Sequence, residues 1–264
     1  MSSRTLDFNQ VRPSDSGVSQ AADVPSGRWR LGIRLLTKTL GWGFKITAAL
    51  MVFSVVLTLL YGYLPIPLTP LMVIRATEEI SSGEWPRFEK DWVKLENISP
   101  RLVQAAIAAE DMRFYEHNGF DWEAIEKARL HNSKGRKIRG ASTISQQTAK
   151  NVFLWPARSW VRKGIEVWFT ALIELFWPKR RIMEVYLNVV EFGDGVYGAE
   201  AAARKYFRKP ASKLSASEAA LMVAVLPNPN RLKIARPSSY VRFRQTLIQR
   251  RMWMAKPILS ARKT

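Results

Sequence analysis

Cysteine is absent from the 264 residues. That excludes a disulfide scaffold, a thiolate metal site, an iron–sulfur cluster and a thiol nucleophile. Histidine occurs twice, too rarely for a multi-histidine metal centre. Acid is scarce: 22 Asp and Glu stand against 41 Lys and Arg, for a net charge of +19. Such an excess points to an anionic partner, whether nucleic acid, anionic lipid or a phosphate-bearing substrate. The hydrophobic share of 47% is too high for a disordered chain and, at this length, allows one large core or two small ones. Strand-like alternation and internal repeats are missing too.

Charge itself is absent from Ile46 to Ile74. The densest part, Ile46 to Leu64, has the ~20 apolar residues that a helix needs to cross a bilayer. Tyr61 and Tyr63 stand where an interfacial aromatic belt forms, and Pro65 and Pro67 stop the helix. Arg28, Arg30, Arg34, Lys38 and Lys45 precede it without an acid among them. The positive-inside rule puts the N-terminus in the cytoplasm and the rest beyond the membrane. We therefore expect a cytoplasmic tail (1–45), an uncleaved single-pass transmembrane anchor (46–66), an outer domain (67–240) and a basic C-terminal tail (241–264). With the domain outside, nucleic acid drops out as a partner.

The outer part reads as all-α. Ser99-Pro100 is an N-cap followed by an N1 proline, and Val103, Ala106, Ile107 and Glu110 then share one face. Desolvation at the end of that apolar face would suit Glu110 to proton abstraction, unless it turns outward to water. Ser159 caps a helix that Pro178 ends, with Arg162 and Lys163 four and three residues before Glu166. A third helix carries Ile182, Val185, Tyr186 and Val189. Gly193, Gly195 and Gly198 mark a loop, and Ser215 with Glu218 makes a capping box for a fourth helix.

Basic charge clusters. Lys127 to Lys163 holds ten Lys or Arg and no acid, and Arg204 to Thr264 holds fifteen against one Glu. A solvated face is the ordinary meaning of such runs. Here Phe153, Leu154, Trp155 and Trp160 interleave with Lys150, Arg158, Arg162 and Lys163, which suits an interface with anionic headgroups. The acid-free run Lys127 to Arg139 is expected to be a mobile loop.

Five ordered blocks carry more specific information. They are Glu110-Asp-Met-Arg-Phe-Tyr-Glu-His117-Asn-Gly119, Gly140-Ala-Ser-Thr-Ile-Ser-Gln-Gln147-Thr-Ala-Lys150-Asn, Arg162-Lys-Gly-Ile-Glu166, Lys179-Arg-Arg-Ile-Met-Glu184-Val-Tyr186-Leu-Asn188, and Gly195-Val-Tyr-Gly198 through Ala203 to Tyr206-Phe207. In order and spacing they resemble the signature blocks of the peptidoglycan glycosyltransferases, also found as the N-terminal domain of bifunctional penicillin-binding proteins. The likeness runs from about Leu95 to Pro229. One departure is Gly-Ala-Ser-Thr-Ile-Ser in the second block, where the commonest form is Gly-Gly-Ser-Thr-Ile-Thr; Ser145 keeps the hydroxyl. No transpeptidase domain is expected after the last block.

The resemblance implies a lysozyme-like fold of two helical lobes and a polymerase of lipid II. The acceptor 4-hydroxyl attacks the donor anomeric carbon, inverts it to a β-1,4 bond, and releases undecaprenyl pyrophosphate. By motif position Glu110 is the base. Glu166 matches the second essential carboxylate, and three duties stay open for it: orienting cations, serving the donor side, or holding a divalent cation, Mg2+ or Mn2+. No metal-ligating residues are assigned. Lys150, Arg158, Arg162 and Lys163 would stabilise the departing pyrophosphate, and Ser142, Thr143, Gln146 and Gln147 would contact sugar or phosphate. Asp111 and His117 are expected to serve structure.

The implied partners are lipid II, the growing lipid-linked glycan and the bilayer of the bacterial inner membrane, with the domain on its periplasmic face. Division or elongation proteins are a further class of partner. Two other functions stay open on the residues alone: a lytic glycan hydrolase on the same fold, and a non-catalytic cell-wall scaffold.

Overall fold

The computed structural model describes residues 26–83, 85–86, 88–135, 140–157 and 159–255. The chain divides into two units, Met1–Leu50 and Met51–Thr264. Helix α1 (Ser26–Tyr61) contains a 24-residue stretch, Lys38–Tyr61, long and apolar enough to cross a membrane. It ends at Tyr61, ahead of Pro65.

Helices dominate the second unit, as expected. They are α2 (Pro70–Ser81), α3 (Pro100–Glu110), α4 (Trp122–Asn132), α5 (Ile144–Phe153), α6 (Trp160–Phe176), α7 (Lys179–Val189), α8 (Ala199–Phe207), α9 (Ala216–Ala224) and α10 (Ser239–Met252). Ser99, Ser159 and Ser215 cap α3, α6 and α9 with their hydroxyls, and Glu218 completes the box on α9. Three short strands interrupt the helices: β1 (Glu89–Lys90), β2 (Glu191–Gly193) and β3 (Val196–Tyr197). Their order is β1-β3-β2, with β1 parallel and β2 antiparallel to β3. Strands of two or three residues are too short to show alternation, so the glycine loop conceals a hairpin.

The helices form two packed groups. Helices α3, α9 and α10 pack on one another, while α5 packs on α6 and α7. Helix α7 lies at the centre and is buried on nearly all sides from Ile182 to Val189. Its polar residues tie down neighbouring segments. Asn188 is fully buried; it accepts from Val93 N–H at 3.0 Å and donates to Val93 O at 2.9 Å, closing what would be two orphaned backbone groups. Glu184 accepts from Leu95 N–H at 2.9 Å. Arg181 donates to Tyr61 O at 2.8 Å and also to Leu64 O, at the end of α1.

Two segments differ from expectation. Lys127 to Asn132 is not loop but the second half of α4. Asp121 caps that helix through Ala124 N–H at 2.9 Å, and Glu123–Lys127 and Glu126–Arg129 pairs brace it. Residues 136–139 of the expected loop lie outside the described residues. The stretch from 241, expected as a basic tail, opens as α10, and Val241, Gln245, Ile248 and Met252 bury one face of it. Arg242, Arg250 and Arg251 are exposed and Arg244 is half-buried, donating to Ala224 O at 3.1 Å; together they mask that stripe in composition.

Candidate active site

Glu110 is the last residue of α3 and is half-buried. Gln147, on the first turns of α5, donates an amide N–H to Glu110 Oε2 at 3.0 Å. The Tyr186 hydroxyl, from α7, donates to Gln147 Oε1 at 3.4 Å. Burial, with the charges of Glu110 and Asp111 adding to it, pushes the Tyr186 phenol well above its ordinary range. Glu110 thus has one oxygen bonded within the protein.

The next residue locks the loop. Asp111 accepts from Ile144 N–H at 2.9 Å, the first N–H of α5, and lies 3.0 Å from His117 Nε2. Both side chains are buried, in keeping with the structural duty expected of them. Thr143 caps α5, Gln146 closes the capping box, and the Thr143 hydroxyl donates to Gly119 O at 2.6 Å. The segment from Asp111 to Gly119 is therefore sewn to the start of α5. A cleft of about 430 Å³ opens beside Glu110; Ser142 and Thr143 line it, with Lys127 from α4 and Arg251 and Met254 from the chain's last helical turn and the turn after it.

A cluster of cations occupies the other end of α5. Glu166 is buried on α6, 3.2 Å from Arg162 Nη1, and is also paired with Lys163. Arg162 Nε is buried without a hydrogen-bond partner. Lys150 reaches solvent, yet protein walls it in. Desolvation lowers its pKa; Glu166 and, more weakly, Glu110 raise it, and Arg162 and Lys163 lower it. With Arg162, Lys150 lines a second hollow of about 500 Å³, whose other walls include Leu71, Leu154 and Trp155.

The geometry sorts the expected residues. Glu110 on α3 meets Gln147 on α5, Lys150 lies with Arg162 at the second hollow, and Lys163 and Glu166 join Arg162 on α6. Ser142 is exposed at the cleft. Thr143 and Gln146 are buried, with their polar groups engaged in capping α5. Arg158 lies outside the described residues. A divalent ion on Glu166 does not fit the residues present, because both carboxylate oxygens are engaged by cations. Among the described residues no cluster of three His, Asp or Glu could hold a metal ion. Sequence reading missed Arg251 and Met254, placed in the supposed tail, and the link of Tyr186 to Gln147.

A family model described as Transglycosylase matches residues 77–253. The chain belongs to the transglycosylase family. Membership makes it a glycosyltransferase, and the lysozyme-like, all-α class expected of it follows. The chain is 55% identical over 216 residues to a biosynthetic peptidoglycan transglycosylase of Bdellovibrio bacteriovorus, covering 82% of this chain and 86% of that protein. It is 55% identical over 207 residues to one of Rhodospirillum centenum, covering 78% and 87%. A relative of the same description in Yersinia pseudotuberculosis is 54% identical over 213 residues, covering 80% and 88%. The family match reaches past the last block read from the sequence and takes in α10.

Proposed function

We propose that this transglycosylase polymerises lipid II into β-1,4 glycan strands at the outer face of the bacterial cytoplasmic membrane. The observation that carries the reading is that Gln147 of α5 bonds Glu110 while Lys150, one turn on, lines a hollow with Arg162, the partner of Glu166. Helix α5 thereby serves both: its Gln147 holds the proton acceptor, and its Lys150 joins the phosphate-binding cations of α6.

The chemistry needs both. The acceptor 4-hydroxyl is a poor nucleophile, and Glu110, through the oxygen that Gln147 leaves free, takes its proton as attack proceeds. The new bond joins that oxygen to the donor anomeric carbon, from the face opposite the leaving group, with inversion. The bond to undecaprenyl pyrophosphate breaks, and its electron pair leaves on the phosphate. Lys150, Arg162 and Lys163 stabilise that charge in a partly desolvated hollow, where fixed cations act more strongly than in water. Glu166 holds Arg162 and Lys163 in place. Ser142 contacts the sugar, while Thr143 and Gln146 shape the wall. The stretch Lys38–Tyr61 anchors the enzyme beside its lipid-linked substrates, with the basic N-terminal flank in the cytoplasm.

The test is polymerisation of labelled lipid II by the parent and Glu110→Gln. Glycan strands and released undecaprenyl pyrophosphate from the parent, with neither from the folded variant, are expected. Polymerisation by Glu110→Gln at the parent rate would overturn the assignment of the base. Shortening of preformed glycan without consumption of lipid would overturn the synthase reading.

A further inference from the structure

A buried tyrosine hydroxyl is costly unless it bonds, so a position that needed only packing would be served by phenylalanine. Tyr186 is fully buried in α7, and its hydroxyl reaches Gln147 Oε1. Gln147 in turn reaches Glu110. We propose that Tyr186 is a positioning residue for glycosyl transfer: it fixes the orientation of the Gln147 amide, which holds one oxygen of Glu110 and leaves the other aimed at the acceptor hydroxyl. This rests on the reading of Glu110 as the base.

The amide has two unlike ends. A carboxylate only accepts, so the N–H end of Gln147 must face Glu110; the flipped amide would set oxygen against oxygen. A donor on the far side enforces the productive orientation, and the Tyr186 hydroxyl is that donor. Its phenol stays protonated across any working pH, because burial and the nearby carboxylates oppose its ionisation. The relay runs inward to α7, which is buried on nearly all sides, so it is a support and not a surface contact. Gln147 therefore acts on the base and not on a sugar.

The test compares the full chain with Tyr186→Phe, Gln147→Ala, the double variant and Glu110→Gln, in lipid II polymerisation with melting curves alongside. Tyr186→Phe should lower kcat about five-fold, with KM for lipid II within about two-fold of the parent. In the Gln147→Ala background the same change should alter kcat by less than about two-fold, the non-additivity of a shared path.

Equal losses from Tyr186→Phe in the two backgrounds would show a packing effect and overturn the relay. Should Tyr186→Phe misfold, Gln147→Ala decides alone: parent kcat in that folded variant would overturn the proposal. An active Glu110→Gln would instead overturn the base itself, so the two failures are distinguishable.

Discussion

Arg162 and Glu166 are one helical turn apart on α6, with Nη1 3.2 Å from the carboxylate and both side chains withdrawn from water. Desolvating two opposite charges costs more than their attraction usually returns, so a pair of this kind is weak evidence for stability. Its use lies in holding the guanidinium. Arg162 Nε stays without a partner in the protein, beside a hollow that Arg162 and Lys150 line together. An anion entering that hollow would meet the two cations that line it.

Breaking the pair is therefore expected to harm both fold and chemistry. Glu166→Ala leaves Arg162 buried and uncompensated and should destabilise the domain by about 3 kcal/mol. Lys163 reaches solvent and adds little to that figure. Glu166→Gln keeps an acceptor and should cost about half as much, yet still slow lipid II polymerisation more than about ten-fold by loosening the cations. Denaturant midpoints and turnover measured together check this. Full activity in a folded Glu166→Gln protein would leave the carboxylate without a role at the site.

What the sequence disclosed, and what it hid, follows from the range of the interactions. The starts of α3, α6 and α9 are marked by Ser99, Ser159 and Ser215, whose capping bonds span two or three residues and so are local. The start of α5 was equally marked by Thr143 and Gln146, but its polar residues resemble ligand groups as much as caps. Helix α10 carries the spacing Val241, Gln245, Ile248, Met252, a legible stripe obscured by arginine and by one glutamine within it. Helix α2 begins at Thr69-Pro70, an N-cap and N1 proline lost inside a long uncharged run. Arg251 at the cleft and Tyr186 behind Gln147 depend on packing between distant segments, which no local pattern records.

Lys90 offers a prediction in pH. Its ammonium donates to Pro67 O at 2.8 Å and to Ile66 O, just past the end of α1. Burial pushes its pKa from 10.5 down to about 8. The folded chain thus gives up this proton first, and between about pH 8 and 10.5 the unfolded chain binds more. In that window stability at this site rises with pH; below about 8 both states are charged and the desolvation cost is present in full. Relative to Lys90→Met in detergent, the parent should gain stability across the window and run parallel below it. A constant difference throughout would mean that Lys90 titrates normally.

Gly198 is expected to resist substitution. It has φ +86°, and a Cβ there would stand 2.9 Å from the backbone oxygen of Asn188. Its N–H donates to Val190 O at 3.0 Å, so the turn cannot swing away without losing that bond. Gly198→Ala combines left-handed strain with a clash against rigid backbone, about 2 kcal/mol or more. A melting point lower by roughly 4–8 °C is the expected result. An unchanged melting point would show that the β3–α8 junction relaxes freely.

The exposed face of α6 makes the membrane reading measurable. Trp160 is 92% exposed and Leu175 74%, and Val167, Trp168 and Ala171 lie between them on the same side. Burying one such large side chain in an apolar phase is worth about 2 kcal/mol, so a row of them facing water is unfavourable unless lipid covers it. Trp168 also donates its indole N–H to Ser54 Oγ at 3.0 Å, which fastens this side of α6 to the last turns of α1. Because the chain has no cysteine, Leu175→Cys accepts a single fluorescent probe. In vesicles containing brominated lipid that probe should be blue-shifted and strongly quenched, whereas one at the exposed Lys213 should be neither. Equal quenching at the two positions, or none at 175, would place α6 in water and remove the lipid contact from the proposed mechanism.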